Sequence, residues 1–138
     1  MGAVSSPTEA AVLAANQAFY EAFAGRNAGA MERLWAREHV VACIHPGWAP
    51  LHGSDSVIGS WRAILGSPES PNVQFTDATA LVIGESAFVT CIEHVRDGKL
   101  AATNVFALEQ GEWKLVHHQA GPMAPQGESR QPPVNPLN

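Results

Sequence analysis

Hydrophobic positions recur at helical spacing in the first half of the chain and at strand spacing in the second. Val12, Ala15, Phe19, Ala22 and Phe23 fall on one helical face. Ser6-Pro7-Thr8-Glu9 supplies the start of that helix: Ser6 caps, Pro7 suits the first helical position, and Glu9 can return a bond to the Ser6 amide. Gly25 is expected to end it in a left-handed conformation. Asn27 then caps a second, short helix with Met31, Leu34 and Trp35 on one face. A strand is expected at about residues 39–45. The prolines and glycine of His45-Pro46-Gly47-Trp48-Ala49-Pro50 forbid regular structure after it. Ser54 or Asp55 opens a third helix whose apolar stripe is Val57, Ile58, Trp61, Ile64 and Leu65.

From Asn72 onward the period changes to two. Four β-rich runs are separated by Gly84-Glu85, Asp97-Gly98 and Gln110-Gly111, dipeptides that imply tight turns and an antiparallel meander. The helices must cover one face of that sheet, because their apolar stripes have nowhere else to go. The expected fold class is therefore α+β, with three N-terminal helices over an antiparallel sheet. One domain is expected over residues 1–122, followed by a proline-rich, mobile tail over residues 123–138.

Two-residue turns also predict a register. One face then carries four cross-sheet rows: Val82, Ala87, Leu108 and Trp113; Ala80, Val89, Phe106 and Leu115; Ala78, Cys91, Asn104 and His117; and Thr76, Glu93, Ala102 and Gln119. The first two rows are apolar and the last two partly polar. With small residues at Ala78, Ala80 and Ala102 leaving space, this end of the face has the makings of a small-molecule pocket.

The acid–base candidates are Glu93 and His117, with Asn104 beside His117 to orient it or to polarise a ligand. In this register Glu93 and His117 stand roughly 10–12 Å apart and flank a ligand without touching. Gln119, Cys91, Thr76, Phe106, Val89 and Leu115 would line the ligand site. Trp48 either shapes its mouth or plugs the core, and Tyr20 either reaches the cavity or is a core tyrosine. No third ligand joins the histidines, so neither a metal nor another cofactor is expected. The opposite face is rich in Leu81, Phe88, Thr90, Val105, Val116 and Ile92, and a second copy of the chain is its natural cover.

Composition narrows the partners. The 138 residues are 46% hydrophobic and 15% charged, with a net charge of −5. That balance suits a folded domain and argues against nucleic acid or an anionic membrane as partner. No apolar run reaches membrane-spanning length and no secretory signal is visible. Cys43 and Cys91 both lie in apolar runs and read as buried, reduced thiols, which points to the cytoplasm.

The ending Thr103-Asn104-Val105-Phe106…Gly111-Glu112-Trp113-Lys114-Leu115-Val116-His117-His118-Gln119-Ala120 resembles the last hairpin of SnoaL-like proteins, in the nuclear transport factor 2-like superfamily. His45-Pro46-Gly47-Trp48…Leu51-His52-Gly53…Ser60-Trp61 resembles their stretch before and within the third helix. The resemblance implies a cone: a curved sheet wrapped by three helices, a pocket inside, and a dimer through the sheet. Where its members often carry a further histidine and a serine late in the last strand, this chain has Gln119 and Ala120 or Gly121. Because one such scaffold serves many tasks, three functions stand open. These are binding of a small hydrophobic or amphipathic molecule, cofactor-free isomerisation or dehydration, and protein association.

Overall fold

A computed structural model describes residues 6–124. The element order is α1 (Pro7–Ala24), α2 (Ala28–Leu34), β1 (Ala42–Ile44), β2 (Leu51–His52), α3 (Ser54–Gly66), β3 (Gln74–Ile83), β4 (Ser86–Val95), β5 (Gly98–Glu109) and β6 (Glu112–Pro122). The six strands form one sheet in the order β2-β1-β6-β5-β4-β3, antiparallel except where β1 runs parallel to β6. This is the expected α+β architecture. Of the tail expected from residue 123, all beyond residue 124 lies outside the described residues.

The capping box at α1 forms as the sequence predicts, with Glu9 N donating to Ser6 Oγ and Ser6 N to Glu9 Oε1. The other end of α1 differs. Gly25 is right-handed, and Arg26 takes the positive φ of 53°. Gly25 is still needed, because a Cβ there would lie 2.9 Å from the Glu21 carbonyl. Trp35 leaves α2 and forms a bridge to Leu115, so the strand expected from residue 39 shortens to Ala42–Ile44. Residues 37–39 are held instead by Glu109, whose carboxylate accepts from Arg37 N, Glu38 N and His39 Nδ1. Burial pushes that carboxyl up, but the Arg37 amide, the His39 ring and the Glu38 amide outweigh it and hold it below its ordinary value.

Three features change the predicted register. The β4–β5 turn is Arg96-Asp97, with Val95 opposite Gly98, so that hairpin is shifted by two residues along the ladder. An even shift keeps each side chain on its face but gives it a new neighbour. In β6 a bulge at Val116 lies between the Phe106–Leu115 and Val105–His117 pairs. A bulge adds one residue, which reverses the facing of everything beyond it. A second bulge in β3 follows Thr76, where Asp77 has a φ of 60°.

The inner rows are therefore Val82–Ala87–Phe106–Leu115, then Ala80–Val89–Asn104–His118, then Cys91–Ala102–Ala120, and last Phe75–Glu93–Leu100–Pro122. Over them pack α1 and α3, with Phe19 completely buried and set edge-on to Trp61 at 5.5 Å. Burying a side chain of that size contributes about 1.5–3 kcal/mol. The outer face holds Leu81, Phe88, Val105 and His117 in one row, and Thr79, Thr90, Thr103 and Gln119 in the next.

Candidate functional site

Tyr20, Glu93, Asn104 and His118 meet beneath the helices, and each is at most 3% exposed. Helical spacing from Phe19 and Phe23 turns Tyr20 toward the sheet, where its ring stacks on Phe75 at 4.6 Å. Glu93, Ala102 and His118 lie on a diagonal across β4, β5 and β6. The small Ala102 between them leaves the space in which the longer side chains converge.

The hydrogen bonds assign most of the protons. Asn104 Nδ2 donates to Asn16 Oδ1 at 2.8 Å and to Tyr20 Oη at 3.2 Å. Asn104 Oδ1 is then the acceptor facing His118 Nδ1 at 2.5 Å, so Nδ1 carries the proton. In the neutral ring Nε2 is consequently unprotonated, and it lies 3.8 Å from Glu93 Oε2. Tyr20 Oη donates to that same Oε2 at 2.6 Å and lies 3.3 Å from Cys91 Sγ.

Electrostatics favour an uncharged pair. Burial raises the Glu93 carboxyl above its ordinary value, and the Tyr20 bond offsets this only in part. Burial, together with the charges His45 and His117 would carry, lowers His118 to about 3. Burial thus disfavours the charged form of both groups, pushing the Glu93 carboxyl up and the His118 imidazole down. Tyr20 is raised by burial and by the Glu93 charge, so it stays a donor. Burial likewise raises the Cys91 thiol. Asn16 Nδ2 is buried without a hydrogen bond of good geometry, near the Cys91 sulfur whose thiolate it would favour.

A second polar group adjoins the first. His45, lowered to about 4 by burial, places Nε2 2.9 Å from Ser60 Oγ. Ser60 spends its proton on the Val57 carbonyl at 2.7 Å, so His45 Nε2 is the donor. The Trp61 ring separates His45 from His118, at 4.8 Å and 5.7 Å. The Cys43 thiol beside His45 is pushed up to about 12 by burial. Among the described residues, no three His, Cys, Asp or Glu side chains converge as metal ligands would. No helix among them is long and apolar enough to cross a membrane.

The structure brings Glu93, Asn104, Cys91, Val89, Phe106 and Leu115 to the inner face, where the sequence's register places them, and Tyr20 packs over it as a buried tyrosine with its hydroxyl bonded. It does not bring His117, Gln119 or Thr76 there. The Val116 bulge turns His117 outward, where its Nδ1 lies 3.1 Å from the Ala42 carbonyl, and leaves Gln119 exposed. Ala120 takes the inward place. The β3 bulge turns Thr76 out to bond Asp77 and His94, and Phe75 takes its place inside. Cys91 pairs with Ala102, not Asn104. Trp48 is 47% exposed and packs edge-on to His45 at 4.8 Å, outside the Glu93 cluster. His118, Asn16, Phe75 and His45 are the interior residues that spacing alone missed.

Comparison with known proteins agrees with this geometry. The family described as SnoaL-like domain matches residues 12–125. A Streptomyces avermitilis structure, a candidate dehydratase of the NTF2-like family, is 32% identical, with a TM-score of 0.79 over 85% of this chain and 96% of that one. A candidate calcium/calmodulin-dependent protein kinase type II association domain from Thiobacillus denitrificans is 30% identical. It has a TM-score of 0.69 over 90% of this chain and all of that one. The F-box protein SKIP8 of Arabidopsis thaliana is 30% identical over 118 residues, 84% of this chain. The chain spans about half, 51%, of that curated relative's length. With its three helices, its six-stranded sheet and this match over most of its length, the chain belongs to the SnoaL-like domain family of the NTF2-like superfamily.

Proposed function

We propose that this domain binds a small amphipathic molecule inside the fold, with its polar end at Glu93, His118, Asn104 and Tyr20. The single observation that carries the reading is the placement of Glu93. Its carboxyl is 2% exposed, accepts from Tyr20 at 2.6 Å and faces the unprotonated nitrogen of His118 at 3.8 Å. Burying such a group costs several kcal/mol unless it is neutralised and bonded, and an apolar pair would fill the volume at lower cost. A buried carboxyl and an imidazole side by side can give and take a proton at a ligand's oxygen or carbon. That is the equipment for isomerisation or dehydration without a cofactor, and the dehydratase name of the 32%-identical relative supports the same class. The test is native mass spectrometry of freshly purified protein, followed by binding measurements on the molecule retained. Glu93→Gln is expected to weaken that molecule's binding at least tenfold. Binding unaffected by Glu93→Gln, or a protein that holds no small molecule at all, would overturn the reading.

Protein association is the second reading, and the outer sheet face favours it. Leu81 and Ile83 are 43% and 66% exposed there, beside Phe88, Ile92 and Val105. A second copy of the chain would cover this face, and one relative is named as an association domain. The two readings are compatible, because they use opposite faces of the sheet.

A further inference from the structure

At the end of the sheet nearest Glu93 lies an open groove of about 1040 Å³, walled by Pro46, Pro68, Pro71, Val95, Arg96 and Leu100. Leu100 is the one wall residue that stands directly across from Glu93 in the β4–β5 ladder, and it also packs against the core. The next inward position on β5 is Gly98, opposite Val95, and it has no side chain to continue the barrier. Leu100, across the ladder from Glu93, and Val95, two residues along Glu93's own strand, are thus the groove residues next to the buried carboxyl. The other apolar member of that row beside Glu93 is Phe75, which is stacked on Tyr20. Leu100 is half-buried and lines the groove on its open side, so a rotamer change can carry its side chain toward the groove.

We propose that the proline-walled groove is the approach to the Glu93 cluster, and that Leu100 is the gate that sets how wide a molecule can pass. The walls are apolar and rigid where the prolines stand, with Arg96, Glu69 and Asp97 at the rim. This suits an amphipathic molecule with a slim apolar body, which enters with a hydroxyl or carbonyl leading. A seam between α1 and β3, lined by Tyr20, Val73 and Phe75, is the competing route. There Phe75 is stacked on Tyr20 at 4.6 Å.

The gate rests on the reading of the interior as a binding site, but its test needs no ligand. Cys91 is buried, 3.3 Å from the Tyr20 hydroxyl, and so reports on reagents that reach the cluster. Alkylation by iodoacetamide, with Cys91 and Cys43 resolved by peptide mass spectrometry, would be compared in the unaltered protein, Leu100→Ala and Phe75→Ala. Leu100→Ala is expected to speed Cys91 labelling at least tenfold, at a rate independent of urea well below the unfolding transition. A Leu100→Val variant should give a smaller rise in the same direction, and it serves if the alanine variant does not fold. The proposal is overturned if both Leu100 variants leave the rate unchanged, if Phe75→Ala alone raises it, or if the rise tracks urea as global unfolding does. Accelerated labelling in a protein that binds no small molecule would uphold the path while the binding function failed.

Discussion

Replacing Glu93 by Gln should change the way stability depends on pH more than it changes stability at any one pH. His118 has a depressed folded value of about 3 against an ordinary 6.5. Its contribution is therefore present above pH 6.5 and is lost as pH falls toward 3. Glu93 has a raised value against an ordinary 4.5, so its contribution has the opposite sign. It is present below pH 4.5 and is lost as pH rises through the folded value. Just above pH 4.5 the two oppose each other. The folded Glu93 binds more proton there than the unfolded carboxyl, and the folded His118 binds less than the unfolded imidazole. His45, which is neutral in the fold down to about 4, adds to the slope from His118. Removing Glu93 leaves His118 uncompensated and increases the excess of protons bound by the unfolded state over the folded one. A full proton of difference corresponds to about 1.4 kcal/mol per pH unit, so the curve should steepen by up to that amount. Urea unfolding at closely spaced pH values, followed by tryptophan fluorescence, measures it directly. Parallel stability–pH curves for Glu93→Gln and the unaltered protein would show that folding does not raise the Glu93 carboxyl, and would refute the opposed contributions of the two groups.

Other perturbations test other parts of the fold. Ala102→Leu fills the space in which Glu93 and His118 meet; overpacking there should cost about 1–3 kcal/mol, read from urea midpoints, and should pull the pH slope toward that of Glu93→Gln. Glu109→Gln weakens the anchor of residues 37–39 by replacing a charged acceptor of two amides and an imidazole. It should cost about 1–2 kcal/mol at neutral pH. That cost should shrink as pH falls through the depressed folded value of Glu109, where the native carboxyl is itself neutral. Val105→Glu, at the centre of the outer face, should yield monomer where the unaltered chain sediments as a dimer. A single monomeric boundary for the unaltered protein in dilute solution would remove the second-copy cover from consideration.

Much of the fold was legible because it is written in local signals. The Ser6–Glu9 capping box, the helical stripe of α3 and the Gly84-Glu85 and Gln110-Gly111 turns all form where the chain's pattern predicts them. The candidate site was half legible for a physical reason. Alternation along a strand follows from two-fold pleating, so Glu93, Cys91, Asn104 and Phe106 kept their face even though the Arg96-Asp97 turn slid their partners by two residues. A bulge is different, because it carries almost no composition signal and inverts all that follows. In β6 the turn and the observed burial disagree. Counting from the Gln110-Gly111 turn puts Leu115, His117 and Gln119 inside, whereas burying Ala120 puts His118 inside. One extra residue beyond Leu115 reconciles an inward Leu115 with an inward Ala120, and Val116 supplies it. In β3 the sign was Asp77, since aspartate is among the few residues that tolerate a positive φ. The adjacent histidines were thus the least decidable point in the chain, because a single insertion exchanges their faces. What selects His118 for the interior is tertiary. Asn104 on β5 presents an acceptor that the inward imidazole meets at 2.5 Å, with the Glu93 carboxyl of β4 lying 3.8 Å from its other nitrogen, whereas His117 outside finds the Ala42 carbonyl on the neighbouring parallel strand.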